Sequence, residues 1–351
     1  MKRIFITHIV SKDKILKYHL SVAACNFSSN LIEGNIFDKV FSILPTFVNG
    51  KIESFEGLVY SSWREKSILY KFAPLVENIR LFFKIPSKSS IWYYNCTILN
   101  APLIILLKLL KPSVKQNMII LDYTPSKKVI DRFFLWLTNH MDGTIRLADS
   151  PLFTCKNSVC LPGVVPINSP AYPQVTDINN EFLISGALGE NISMLTMLLH
   201  AFSQMPETTL HITGKASDID LIKKYTNKYR NIIYHGMVSY GEYLQILHHI
   251  SFLLSTRNPS YPENQCNFPS KIIEALLHNR IIISTLHYNQ LEDINYWKVS
   301  SKENDFINDI REIIEQPTNI LLKYANQSDL VKQKYNVEIW KKTMIKLEHN
   351  R

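Results

Sequence analysis

The second half of the chain is a train of short β-rich runs, each followed by a stretch of helical spacing. FLISGAL (182–188) reads as strand then turn, with a helix over Ser193–Phe202 behind it. TLHITGKA (209–216) is followed by a helix from about Asp218 to Tyr229, and NIIYHGMV (231–238) by a helix over Gly241–His249. SFLLSTR (251–257) leads through a loop to Pro269, a helix over Ser270–His278 and a strand IIIST (281–285). Strands that alternate with helices build a mostly parallel sheet covered on both faces.

The first half repeats the alternation less cleanly. RIFITHI (3–9), KVFSIL (39–44), SIWYYN (90–95), MIILDY (118–123), TIRLA (144–148) and VCLP (159–162) read as strands, and Ala101–Lys111 and Lys127–Met141 as helices. Between the halves, Pro162 to Asn180 holds four prolines and no periodic pattern, as a linker does. The predicted fold is α/β: two tandem Rossmann-like, doubly wound domains at 1–165 and 181–335, joined by a linker at 166–180. The length of 351 residues suits two domains. The C-terminus from about Asn319 reads as helices.

Composition narrows the function classes. Hydrophobic residues make up 46% and charged residues 20%, an ordinary globular balance. The longest apolar run, Pro102–Leu107 extended past Lys108 to Leu110, is far short of the ~20 residues of a membrane span. The apolar run within MKRIFITHIVSKDK is too short for a signal peptide. Five cysteines without a CxxC pair fit a reduced, cytosolic chain, and no His/Cys cluster has zinc-ligand spacing. The net charge of +9 sits in the first half: residues 1–165 carry 21 Lys and Arg against 11 Asp and Glu, and residues 166–351 carry 18 against 19. Such asymmetry suggests an anionic partner, either nucleic acid or a membrane surface, or else a merely soluble basic face.

In open α/β sheets, ligands bind outside the carboxyl ends of the strands. Three strands of the second half run into glycine there, Gly186, Gly214 and Gly236, which lets a ligand approach the backbone. The stretch CNFPSKIIEALLHNRIIIST (266–285) opens a helix at the same edge. Its amide groups and dipole favour phosphate, Lys271 adds a point charge, and Glu274 lies on the same helix face as Ser270 and Lys271. A carboxylate there suits the vicinal hydroxyls of a ribose. The alternative is that Glu274 only complements the helix dipole.

The series SGAL, HITGK, IIYHGMVSYGEY, FLLSTR, NFPSKIIEAL and IIIST, in this order, resembles the donor half of the family-4 glycosyltransferases of bacterial surface-polysaccharide type. These are retaining enzymes of the GT-B fold, with two Rossmann-like domains facing a central cleft. The resemblance covers roughly residues 180–290, with NFPSKIIEAL its most specific part. It implies a nucleotide-diphosphate sugar as substrate, UDP-, GDP- or dTDP-linked, and no metal or other cofactor. Glu274 matches the ribose-binding glutamate. Pro269, Ser270 and Lys271 match the turn along the donor, Gly236, Met237 and Val238 the base-lining segment, and Gly214 and Lys215 the loop near the diphosphate, with Gly186 at the first glycine turn. The C-terminal helix, about 336–351, matches a return crossing onto the first domain. Two departures stand out: SGALGENIS has Ala187, Glu190 and Asn191 where clamping cations are common, and Cys266 stands where a first glutamate would fall. Arg257 is then the best substitute cation, with Lys215 and Lys271.

In the first half, Asp122 at the end of MIILDY is a candidate to hydrogen-bond or orient an acceptor hydroxyl, or else caps a turn. His8 and Asn95 occupy similar edge positions, with a satisfied buried histidine as the alternative for His8. Trp63, Arg64, Lys66, Lys71, Phe72, Arg80, Phe82, Phe83 and Lys84 interleave cations with large apolar groups, as do LIILLKLLK and FFLW beside Arg132. Peripheral docking on an anionic leaflet or core packing both fit, and no RNA-binding signature supports nucleic acid. The expectation is a retaining glycosyltransferase that adds a hexose-type unit to a glycan acceptor, lipid-diphosphate-linked, in O-antigen or capsule biosynthesis. It would be cytoplasmic, or peripheral on the inner face of the cytoplasmic membrane. A nucleotide-sugar epimerase and a catalytically degenerate scaffold subunit are the alternatives.

Overall fold

Strands buried on both faces form the middle of each of two α/β units. The computed structural model describes residues 1–8, 22–43, 52–55, 58–61 and 72–350. One unit comprises Met1–Ser169, Cys266–Phe268 and Tyr335–Arg351, the other Pro170–Gln265 and Pro269–Lys334. Trp63, Arg64, Lys66 and Lys71 lie outside the described residues.

The first unit runs β1 (Arg3–Thr7), α1 (Val22–Glu33), β2 (Lys39–Ser42), β3 (Ile52–Phe55), β4 (Leu58–Ser61), α2 (Ala73–Lys84), β5 (Ser90–Tyr94), α3 (Ala101–Leu110), β6 (Lys115–Ile120), α4 (Val129–Asn139), β7 (Gly143–Arg146) and β8 (Ser158–Cys160). Among the described residues these strands order as β3-β4-β2-β1-β5-β6-β7-β8, all parallel except the β3–β4 pair. Ile4, Phe5, Ile6, Ile91, Trp92 and Tyr93 are fully buried, as central strands of a covered parallel sheet must be. One apolar core joins the sheet to the inner faces of α2, α3 and α4 through Leu81, Leu103, Ile104, Leu107 and Leu137.

Strand β6 begins earlier and ends earlier than MIILDY suggests. Its first residues are polar yet buried: Gln116 accepts from the Tyr93 hydroxyl (2.8 Å) and Asn117 donates to Ser90 Oγ (3.1 Å). Asp122 therefore lies two residues past the strand, exposed, rather than at its end. Helices α1 and α2 and strands β3 and β4 have no counterpart in the sequence reading.

The second unit runs β9 (Glu181–Leu188), α5 (Glu190–Ser193), α6 (Leu195–Ser203), β10 (Thr209–Ala216), α7 (Ile219–Lys228), β11 (Ile232–Gly236), α8 (Tyr240–His249), β12 (Phe252–Ser255), α9 (Lys271–Leu277), β13 (Ile281–Ser284), β14 (Trp297–Lys298), α10 (Glu303–Ile314), α11 (Thr318–Ala325) and α12 (Ser328–Tyr335). Its six strands are all parallel, in the order β11-β10-β9-β12-β13-β14. Phe182 stacks on Phe252 at 4.6 Å and meets Phe202 edge-on at 5.2 Å, which locks β9, β12 and α6 together. Local signals set the helix ends. Asp218 caps α7, Ser239 and Glu242 form a capping box on α8, and Asn279 takes a left-handed φ of 58° after α9.

The closing helix α13 (Val337–His349) belongs to the first unit. Trp340 Nε1 donates to the Gly163 carbonyl (2.8 Å), and Glu348 accepts from both Arg3 Nε and Nη2 (2.7 Å each), Ser90 Oγ (2.6 Å) and Trp92 Nε1 (2.8 Å). All five cysteines are free thiols.

Candidate functional site

The strand order of the second sheet reverses between β9 and β12, so its topological switch point lies where those two strands end. Gly186, Gly214 and Gly236, on β9, β10 and β11 along the carboxyl edge from that point, all have positive φ, at 110°, 129° and 73°. Strands β9 and β10 do not stop at their glycines; they stay paired, Gly214 opposite Gly186, to Leu188 and Ala216. A Cβ on Gly214 would stand 2.0 Å from the Gly186 carbonyl oxygen, so this pair requires glycine. The loops are tied laterally as well: Thr213 Oγ1 donates to the Gly236 carbonyl (2.9 Å) and the Tyr234 hydroxyl to the Gly214 carbonyl (3.2 Å).

Onto this edge α9 delivers Lys271 and Glu274. Pro269 precedes the helix and the exposed Ser270 is its N-cap residue, without a side-chain cap. The Lys271 ammonium donates to Ser185 Oγ (2.8 Å) and lies over the Tyr243 ring at 5.2 Å. It is also the nearest atom to the face of Gly186 where a side chain would otherwise be. Burial lowers the Lys271 pKa, and the Glu274 charge opposes that. The Glu274 carboxylate accepts one hydrogen bond at each oxygen, from Tyr240 (3.0 Å) and Tyr243 (3.1 Å). Burial, then the Glu274 charge, raises both phenol pKa values. Glu274 thus holds two neighbouring hydroxyls, those of tyrosines on α8, and Tyr240 is itself exposed. Each carboxylate oxygen keeps a second acceptor position.

The remaining donor-side candidates spread along the same edge. Lys215 and Met237 are exposed, and Val238 is half-buried. Arg257 follows β12; its backbone is pinned by Thr285, whose hydroxyl accepts from Arg257 N and donates to Arg257 O (both 2.7 Å). Its Nη1 is 3.5 Å from Asn264 Oδ1, and Asn264 Nδ2 donates to the Asn191 carbonyl (2.8 Å). Arg257 is therefore linked to the turn after β9 where the clamping cations are missing from the sequence. Glu190 does not fill their place: its carboxylate accepts from Thr196 N (3.1 Å), inside α6. Ser185, Tyr240, Tyr243 and Asn264 escaped the sequence reading. Ser185 had a signal, since it directly precedes Gly186.

In the first unit, the candidates group at the carboxyl ends of β1, β5 and β6, again where the strand order reverses. The His8 ring is 3.1 Å from Thr97 Oγ1 and meets the Tyr94 ring edge-on at 6.1 Å. Burial drops its pKa to about 4, so it is neutral near pH 7. Asn95 accepts from Leu121 N (2.9 Å) and donates to the Asp122 carbonyl (3.3 Å), which fixes the backbone carrying Asp122. Among the described residues, no three His, Cys, Asp or Glu side chains are placed to hold a metal ion.

Histidines pair twice in the second unit. His211 lies between Glu181 (2.6 Å) and His235 (2.9 Å), directly before Gly236, and burial and then His211 lower the His235 pKa. His248 and His278 lie 2.7 Å apart, with Tyr172 over His278 at 3.8 Å. Burial first, then the charges of His248 and Arg280, lower the His278 pKa to about 4. A histidine whose folded pKa is depressed contributes its stability above the unfolded pKa and loses it as pH falls. Unfolding free energy should therefore drop by about 2 kcal/mol between about pH 7 and about pH 5 through His278 alone. Urea titrations at the two pH values check this, and His278→Gln should remove that part of the slope.

No protein-family model matches the chain, and no curated protein is similar to it in sequence. Solved structures do match its backbone. The N-terminal domain of trehalose-6-phosphate phosphatase from Candida albicans aligns with a TM-score of 0.74 at 12% identity, over 100% of this chain and 97% of that one. The E. coli trehalose-6-phosphate protein bound with UDP-2-fluoro glucose gives 0.71 at 8%, over 100% of each chain. HepE from Anabaena, in complex with UDP and glucose, gives 0.67 at 13%, over 99% of each.

The fold is GT-B. In this GT-B chain each half carries its own doubly wound sheet, and in each the candidate residues lie along the carboxyl edge, at or beside the point where the strand order reverses. No helix among the described residues is long and apolar enough to cross a membrane.

Proposed function

We propose that this chain is a retaining glycosyltransferase that moves a hexose-type sugar from a nucleotide-diphosphate sugar to a glycan acceptor. The reading extends to a lipid-linked acceptor at an anionic membrane surface, in surface-polysaccharide (O-antigen or capsule) biosynthesis. The observation that carries the donor side is the Lys271–Glu274 pair set against Ser185, Gly186 and Gly214 at the switch point of a parallel sheet. Bound UDP and UDP-sugar in HepE and the E. coli protein make UDP the first base to test.

In this mechanism Glu274 takes the ribose hydroxyls in its free acceptor positions or in exchange for the exposed Tyr240 hydroxyl. Lys271, Arg257 and the glycine-loop amides, with Pro269, Ser270 and Lys215 beside them, neutralise the diphosphate, so no metal is needed. Gly236, Met237 and Val238 line the base. The anomeric C–O bond to phosphate breaks and the acceptor oxygen bonds to the same carbon from the same face. The acceptor proton passes to the departing phosphate, so no carboxylate pair is required. Asp122 orients the acceptor hydroxyl, and neutral His8 borders it as a hydrogen-bonding group.

Incubation with UDP-, GDP- and dTDP-sugars should release the nucleoside diphosphate from one of them. A changed sugar without release indicates an epimerase, and no turnover with intact binding a scaffold. No observation favours the epimerase: of the groups the donor half offers it, His235 is hydrogen-bonded to His211, and Glu274 to Tyr240 and Tyr243. Glu274→Ala should weaken nucleotide binding about 10- to 100-fold, the value of hydrogen bonds to a charged group, without unfolding the chain. Unchanged affinity in calorimetry would sink the assignment.

A further inference from the structure

Helices α2, α3 and α4 cover one face of the first sheet, and their inner residues share its core. Their outer sides are unusually apolar. On α2, Leu75, Val76, Ile79 and Phe83 follow one helical stripe and are 43–77% exposed. On α4, Val129, Ile130, Phe133 and Trp136 do the same, at 38–81%. Between them, Leu109 and Leu110 at the end of α3 are 71% and 63% exposed. The three helices are joined side by side: Lys111 donates to the Phe82 (2.6 Å) and Ile85 (2.7 Å) carbonyls of the α2 region, and Lys108 donates to the His140 carbonyl after α4. Scattered exposed apolar residues need no explanation, but parallel stripes on adjacent helices do.

The exposed charges beside these stripes are mainly cationic, with Asp142 after α4 the exposed exception. Lys84 and Lys88 at the end of α2, and Lys127, Lys128 and Arg132 at the start of α4, are exposed. Of the acids, Glu77 is buried and paired with Arg80 (2.6 Å), and Asp131 is half-buried. Lys127 and Lys128 sit at the positive end of the α4 dipole, where cations are disfavoured for folding, so their placement favours an outside anion. Trp136 stacks on Phe133 at 6.0 Å, an aromatic pair of the kind that settles at a headgroup boundary.

We propose that the outer face of α2, α3 and α4 docks on an anionic lipid surface, with the apolar stripes entering the headgroup region and the flanking lysines on the lipid phosphates. A protein partner is the poorer fit, because it would have to set acids against each of these flanking cations around an apolar centre, an arrangement that an anionic leaflet presents by itself. The docking deepens the reading of a lipid-held acceptor and rests on it. It is measured apart from donor binding, so either can fail alone.

The test is co-sedimentation of the full chain with phosphatidylcholine vesicles, with and without phosphatidylglycerol, at low and high salt. Binding should need the anionic lipid and weaken with salt. Lys127→Gln and Lys128→Gln should each reduce it about fivefold, and Trp136→Glu about tenfold or more. All three should keep the wild-type circular dichroism spectrum and the wild-type nucleotide affinity. Equal binding to neutral vesicles, no binding at low salt, or a self-association that Trp136→Glu dissolves would each overturn the proposal.

Discussion

Replacing Glu348 with alanine is expected to cost the first unit about 3–5 kcal/mol, enough to unfold a marginal domain. Burial alone would raise the Glu348 pKa, but hydrogen bonds from Arg3, Ser90 and Trp92 outweigh it and hold the carboxyl below its ordinary value. Removing the carboxylate leaves a largely buried guanidinium, a hydroxyl and an indole N–H without their acceptor. Glu348→Gln should recover part of the loss, since an amide oxygen still accepts from Trp92 or Ser90. Thermal unfolding followed by tryptophan fluorescence and circular dichroism measures both variants. A shift as small as that of a surface substitution would show that the cluster contributes little.

Gly214→Ala is expected to be nearly as damaging, and for a backbone reason. The φ of 129° is closed to alanine, and the new methyl would meet the Gly186 carbonyl at 2.0 Å. The strain and the forced separation of β9 from β10 together cost about 3–5 kcal/mol. Nucleotide affinity should fall with stability, because the Lys271 ammonium occupies the space beside Gly186 where a side chain would stand. Gly236→Ala is the control: its φ of 73° is strained, but nothing lies within 4 Å, so its effect should be distinctly smaller. Equal losses at the two positions would refute the steric account.

How legible each part was in the sequence follows from what holds it. Strands β9 and β10 begin within one residue of where the sequence puts them, because their apolar runs carry the burial, but they run on through Gly186 and Gly214, where a turn or loop is expected. Strand β6 starts before its apolar run because Gln116 and Asn117, polar residues that look like loop, bond to Tyr93 and Ser90 of β5 inside the sheet. Helix α10 went unread although Phe306, Ile307, Ile310 and Ile313 have the right spacing, masked by the acidic residues between them. At the site, Glu274 and Lys271 stood out through their place in a helix turn. Their partners Tyr240, Tyr243 and Ser185 come from other elements, and spacing within one element does not reveal such neighbours.

Arg3 and Glu348 are 345 positions apart, and the whole second unit is spliced into the chain between them. A ribosome making this protein therefore finishes the later lobe before the earlier one can be sealed. Until α13 emerges, Arg3, Ser90 and Trp92 of the nascent first unit lack their shared acceptor, and incompletely packed states of this kind are prone to aggregate. Truncation within α13 should thus harm the beginning of the chain more than its middle.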